Sequence, residues 1–219
     1  MYGYVVSAHR FLLERRRLLG VWFAVMEVPA GGLLAGYGRR RAFRLLRRQG
    51  ITRCILPAEW TAEAAEQGLL PVEVQPLRQA LLPQLLDRHC ELHHASAVLC
   101  APYVTAAVTA AAETLAQRVR YLTLDTGSGT DALAYMLRCR YGLCVGGTGP
   151  AALTVSFGGA PHALPAICLG PDCARFQRLC YAPLPGLPPD APEQLLAALF
   201  EAGGIKKEEI CVKTIALNA

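Results

Sequence analysis

The chain has 219 residues, 53% of them hydrophobic and 18% charged, with a formal net charge of +5. A chain of this length buries roughly 70% of its unfolded surface, and this composition argues against a disordered protein. Eleven Lys/Arg against three Asp/Glu through Trp60 confine the basic character to the N-terminal quarter.

Arg15, Arg16 and Arg17 precede the apolar run Leu18 to Met26, an order that signal peptides share. Glu27 closes the run and no A-x-A cleavage pattern follows, so the segment reads as a first core strand. Leu18 to Val28 is nearly unbroken in apolar character, as in a strand buried on both faces. Pro29, Gly31 and Gly32 end it, Leu33 to Gln49 then reads as a helix stopped by Gly50, and Thr52 to Leu56 as the next strand. At 100° per residue Arg40, Arg41, Arg44, Arg47 and Arg48 share one side of that helix. They form either a surface for phosphates or an acidic partner or, the commoner case, an ordinary solvated face, and no interleaved aromatics or RNA-binding signature supports nucleic acid specifically.

Thr61 to Gln67 predicts a short helix ended by Gly68, Pro71 to Val74 a minor extended piece, and Pro76 to Cys90 a helix that Pro83 bends or restarts. His89 and His93 are four apart and would share a helix face able to bind metal. With no H-E-x-x-H and no paired thiolate, His89 to His94 reads as a polar helix end, and no metal is expected.

Ala97 to Ala101 reads as a buried strand, Pro102 as its turn, and Val104, Val108, Ala111 and Leu115 as one helical stripe. Val119 to Leu124 predicts a strand and Thr130 to Tyr141 a helix stopped by Gly142. Beyond it, Ala152 to Phe157 and Ala166 to Leu169 are candidate strands in a stretch with fifteen Gly or Pro between Cys144 and Asp190. Asp190 and Glu193 form a D-x-x-E capping signal for a helix Pro192 to Ala202, and Ile210 to Leu217 reads as a final strand. Strands alternating with helices predict an α/β fold of three layers, Rossmann-like, with a mostly parallel sheet and helices on both faces. A boundary near His93–His94 divides a basic N-terminal lobe, 1–94, from a Rossmann-like lobe, 95–219. A single continuous domain over 1–219 fits equally well.

Two uncharged stretches, Ala95 to Ala112 and Cys144 to Pro171, are broken by Pro and Gly, so no membrane span is expected. The nine cysteines are odd in number, irregularly spaced and without a C-x-x-C pair. Several lie in apolar runs, which fits a reducing, cytoplasmic setting without structural disulfides.

The specific chemical signal is Leu124-Asp125-Thr126-Gly127-Ser128-Gly129-Thr130-Asp131-Ala132. Gly127, Gly129 and Ala132 satisfy G-x-G-x-x-A between a strand and a helix, the setting of the dinucleotide fingerprint. Glycines admit a phosphate to the backbone, and helix-start N–H groups attract negative charge. The ribose-holding carboxylate expected about 20 residues later is missing from Cys144 to Gly149. Asp125 to Thr130 also resembles the acidic-x-G-x-G first motif of S-adenosylmethionine-dependent methyltransferases, over about ten residues. That resemblance implies that the turn binds the amino-acid end of the cofactor. Asp125, Gly127, Ser128, Gly129 and Thr130 are therefore the candidate cofactor-binding residues, for a dinucleotide or S-adenosylmethionine. No catalytic residue is identified. Two functions fit: a Rossmann-like protein binding a nucleotide-containing or phosphorylated small molecule, or a non-catalytic α/β protein with a structural or regulatory role.

Overall fold

The computed structural model describes residues 1–29, 31, 35–88, 96–146, 151–158, 165–171 and 173–217. They form two compact units, one of Met1–Glu73 with Pro183–Ile210, the other of Val74–Ala182 with Cys211–Ala219.

The first unit opens with three strands, β1 (Tyr2–Ala8), β2 (Leu12–Leu18) and β3 (Val21–Pro29). Helix α1 (Ala35–Arg48), β4 (Arg53–Ile55), helix α2 (Thr61–Glu66) and β5 (Leu70–Pro71) follow. The sheet order is β2-β3-β1-β4-β5. All neighbours are parallel except β2, which runs antiparallel to β3. The apolar run is therefore the third strand of this sheet, not its first. It is buried on both faces, with Phe23, Ala24, Val25, Met26 and Val28 all inaccessible or nearly so. Its pattern could show that much, because consecutive apolar residues suit only a doubly covered strand.

The two strands before it were hidden for different reasons. In β2, Leu-Leu-Glu-Arg-Arg-Arg-Leu, the three arginines are exposed. Such charge is tolerated on an edge strand and deters pairing with another chain. β1 mixes Gly and Ser into a short run and becomes a central strand only because β3 and β4 flank it. Leu18 pairs with Val21 across Leu19–Gly20, whose φ angles of +45° and +85° mark a tight hairpin turn. A leucine in that region carries strain of about 1–2 kcal/mol.

Helix α1 buries Ala42, Phe43 and Leu46 in the core of this unit beside Met26 and Val28. The returning segment supplies a helix, Glu193–Glu201. It is tied to the unit by the Leu56 amide, which donates to Gln194 Oε1 at 2.9 Å, and by an Arg53–Glu201 ion pair. Its N-cap is Pro192 in an extended conformation, with no side-chain cap bond. The capping role expected of Asp190 is thus not realised, because the fixed φ of proline already sets the helix start.

The second unit begins with two short helices, α3 (Gln75–Ala80) and α4 (Leu82–Asp87), the break falling at Leu81 and Pro83 sitting in the first turn of the restarted helix, as the sequence predicts. Among the described residues the next elements are β6 (Ser96–Ala101), α5 (Ala106–Ala116), β7 (Tyr121–Thr126), α6 (Thr130–Tyr141) and β8 (Cys144–Val145). β9 (Leu153–Ser156), β10 (Ala166–Cys168) and a short helix α7 (Cys173–Phe176) follow. β6 to β10 form an all-parallel sheet in the order β10-β9-β6-β7-β8. β11 (Gln177–Tyr181) and β12 (Val212–Leu217) make a separate antiparallel pair.

Two of the boundaries that differ from expectation lie at the carboxyl edge of the parallel sheet. β7 runs to Thr126 rather than ending at Leu124, because its register with β6 carries Asp125 and Thr126 into the ladder. Val104 precedes helix α5 instead of lying on it. The helix starts after Thr105, whose Oγ1 accepts the Val108 amide at 3.2 Å.

Arg78 of α3 is fully buried, at 0% exposure. Its Nη1 donates to the Cys173 carbonyl at 2.9 Å and its Nη2 to the Gln177 carbonyl at 2.7 Å. The buried Gln177 amide in turn accepts from Cys168 N and donates to Ala166 O, at 3.0 and 2.8 Å. This network joins α3, β10 and the start of β11. Nothing in the local pattern around Arg78 announces it, since these two carbonyls belong to residues 95 and 99 positions away. Among the described residues no helix is long and apolar enough to cross a membrane.

Candidate functional site

In the second sheet the chain begins at the centre, on β6. It steps outward through β7 and β8, then crosses back to lay β9 and β10 on the other side. This is the doubly wound order, and its direction reverses between β6 and β9. In such sheets ligands bind outside the carboxyl ends of the strands at the reversal, and an acidic residue about 20 positions after the first strand's turn holds a ribose.

The glycine turn follows β7, the second strand in this order. Asp125 accordingly occupies the carboxyl end of that strand, 23 residues after Pro102, the turn residue of β6. Its side chain is exposed. The register sets Cys100 beside Asp125 on one side and beside Ser156 of β9 on the other, one row across the sheet edge. Burial, together with the negative charge of Asp125 beside it, pushes the Cys100 thiol up to about 11. Cys100 is therefore a neutral thiol at neutral pH and not an activated nucleophile. Ser156 is buried and donates to the Gly158 carbonyl at 2.8 Å.

The glycines of the turn have a packing explanation. A Cβ on Gly127 would lie 2.4 Å from the Pro102 carbonyl oxygen. At Gly129, φ is +82° and a Cβ would meet the Val104 Cβ at 3.1 Å. The Val104 amide donates to the Ser128 carbonyl at 3.1 Å, locking the two loops together. On the other flank, a Cβ on Gly158 would stand 3.2 Å from Pro102 Cδ. Pro102 thus sits between Gly127 and Gly158 at the reversal point. Thr130 Oγ1 donates to the Thr126 carbonyl at 2.8 Å, closing the turn from the helix side.

Two helices start at this edge. α6 begins at Thr130, after Gly129, with Asp131 in its first turn, whereas α5 has no acidic residue in its first turn. An anion is attracted to either helix start, but Asp131 opposes it at α6.

Among the described residues no group of three or more His, Cys, Asp or Glu could hold a metal. His89, Cys90 and His93 lie outside the described residues. The eight described cysteines are free thiols, with Cys54, Cys168 and Cys173 buried. Arg40, Arg41, Arg44, Arg47 and Arg48 are all exposed on α1, in the first unit. What sequence reasoning missed was the Cys100–Asp125 contact and the position of Pro102. Both depend on which strands are neighbours.

The fold and site together define an α/β protein with parallel sheets flanked by helices, its second sheet in the Rossmann-like doubly wound order. No family model matches the sequence, and no curated protein matches it. Among solved structures the chain is similar to a shikimate 5-dehydrogenase-like protein, at 14% identity and a TM-score of 0.28. The match covers 65% of this chain and 58% of that one, so the chain spans under two thirds of that protein's length. At that score the likeness supports no assignment, and the class stands on the strand order alone.

Proposed function

We propose that the second unit binds a nucleotide-containing or phosphorylated small molecule at the carboxyl edge of its sheet. Asp125, Gly127, Ser128, Gly129 and Thr130 form the rim of that site. The observation that carries this reading is the placement of an exposed carboxylate, Asp125, at the end of the second strand of a doubly wound sheet. A carboxylate there accepts two hydroxyl protons of a ribose. The anionic end of the ligand is directed to the start of α5, whose first turn carries no acidic residue. The apolar settings of Cys54, Cys168 and Cys173 support a cytoplasmic setting, in which thiols stay reduced.

A thermal-shift panel of NAD, NADP, ADP, adenosine and S-adenosylmethionine tests the proposal. A ligand at 100 times its dissociation constant adds about 2.7 kcal/mol, and Asp125→Asn should remove that shift while leaving the unliganded melting temperature nearly unchanged. No shift with any of these compounds at millimolar concentration would refute it.

A second reading, a non-catalytic protein with a structural or regulatory role, is favoured by one observation. The contacts of Gly127, Gly129 and Gly158 with Pro102 and Val104 explain the glycines without a ligand.

A further inference from the structure

The arginine face of α1 acquires in three dimensions what its sequence lacks. Helix α1 carries six arginines and no acidic residue. Arg39 turns inward, where its Nε meets Glu63 at 2.8 Å and its guanidinium lies over the Trp60 ring. Glu63 also reaches Arg40, at 3.5 Å. Arg44 Nε donates to its own helix, at the Arg40 carbonyl. Among the described residues Arg41, Arg44, Arg47 and Arg48 have no carboxylate partner. At 100° per residue these four, with Arg40 and Tyr37, fall in a stripe about 120° wide, opposite the buried Ala42 and Leu46. Like charges at i, i+4, such as Arg40, Arg44 and Arg48, destabilise a helix unless something negative covers them.

Aromatic rings flank this stripe. Tyr37 is 62% exposed at the start of the helix, and Phe11, 38% exposed, comes from outside it to lie under Arg41 at 5.4 Å. Phe11 is far from α1 in sequence, so of the two rings only Tyr37 is visible in the helix itself. Guanidinium groups spaced by one helical turn, about 6 Å along the axis, combined with exposed rings, provide the two elements of single-strand binding: phosphate pairing and base stacking. Arginine's planar fork fits phosphate bidentately.

We infer that this face of the first unit, formed by Tyr37, Arg40, Arg41, Arg44 and Arg48 with Phe11, binds single-stranded nucleic acid without sequence specificity. The phosphates pair with the arginines and the bases stack on the two rings.

The test is fluorescence anisotropy of the full chain with labelled oligo(dT) and oligo(U) across a salt series. The expected result is binding, with log affinity falling against log salt at a slope of about −3 for four to five contacted phosphates. Arg44→Gln with Arg48→Gln should flatten that slope by about 1.4 units. Phe11→Ala with Tyr37→Ala should weaken binding at least about tenfold while leaving the slope unchanged. Circular dichroism confirms folding, and Phe11→Leu with Tyr37→Leu repeats the loss while retaining apolar bulk. Absence of binding at low salt overturns the inference. So does equal binding to heparin or to vesicles containing phosphatidylserine with no effect of the aromatic substitutions, which would define a general polyanion surface.

Discussion

Replacing Gly127 by alanine isolates the close approach of two loops at the edge of the second sheet. The added Cβ would stand 2.4 Å from the Pro102 carbonyl oxygen, where ordinary carbon–oxygen contacts begin near ~3.3 Å. One loop must therefore retreat by about 0.9 Å. The Val104–Ser128 hydrogen bond, already 3.1 Å long, does not survive such a shift. Overpacking of this kind costs about 1–3 kcal/mol, and the lost bond about 1 kcal/mol more. The expected destabilisation is about 2–4 kcal/mol. Gly142→Ala is the control, since Gly142 has φ +62° but nothing within 4 Å of a new Cβ. It should cost only the left-handed backbone term, about 1 kcal/mol. Urea unfolding followed by far-ultraviolet circular dichroism measures both, by linear extrapolation. A Gly127→Ala variant no less stable than Gly142→Ala would refute the packing explanation of the turn and return its glycines to a ligand.

Arg78→Leu should cost about 3 kcal/mol or more in the same urea experiment, through two lost charge-assisted bonds and two stranded carbonyls. Arg78→Lys should fail to restore it, because one ammonium cannot reproduce the fork to Cys173 and Gln177. Thiol counting without reductant in denaturant should detect every cysteine. In the native state Cys139, Cys144, Cys180 and Cys211 should react first, being exposed. Low totals would overturn the reduced state. Burial pushes the Cys54 thiol up to about 12 from 9.0. A raised pKa means the folded state holds the proton longer, so its stabilising effect is complete below pH 9 and lost as pH rises towards 12. That loss amounts to about 4 kcal/mol. Cys54→Ala should flatten the stability profile over this window, and an unchanged profile would refute the buried setting.

The sequence by itself determined the elements whose pattern is local. The run over Phe23 to Met26, closed by Glu27, Pro29 and Gly31, reads as a doubly covered strand, Thr130 to Tyr141 carried its own helical period and glycine stop, and Pro83 restarted the helix before β6. It also marked Asp125 and the Gly127–Gly129 turn as the specific chemical feature, because glycines between a strand and a helix are visible without knowing the neighbours. Tertiary structure alone decided the rest. β2 hides its strand character behind Arg15 to Arg17, since an edge strand is defined by the partner it lacks and by no residue of its own. The role of Asp125 depends on strand order. Turns after the first strand and after the next one share the same sequence pattern, and only the pairing of β6 with both β7 and β9 separates them. Arg78, Pro102 and the Phe11–Arg41 contact join residues remote along the chain, and such contacts follow from long-range burial and register, which no local periodicity encodes.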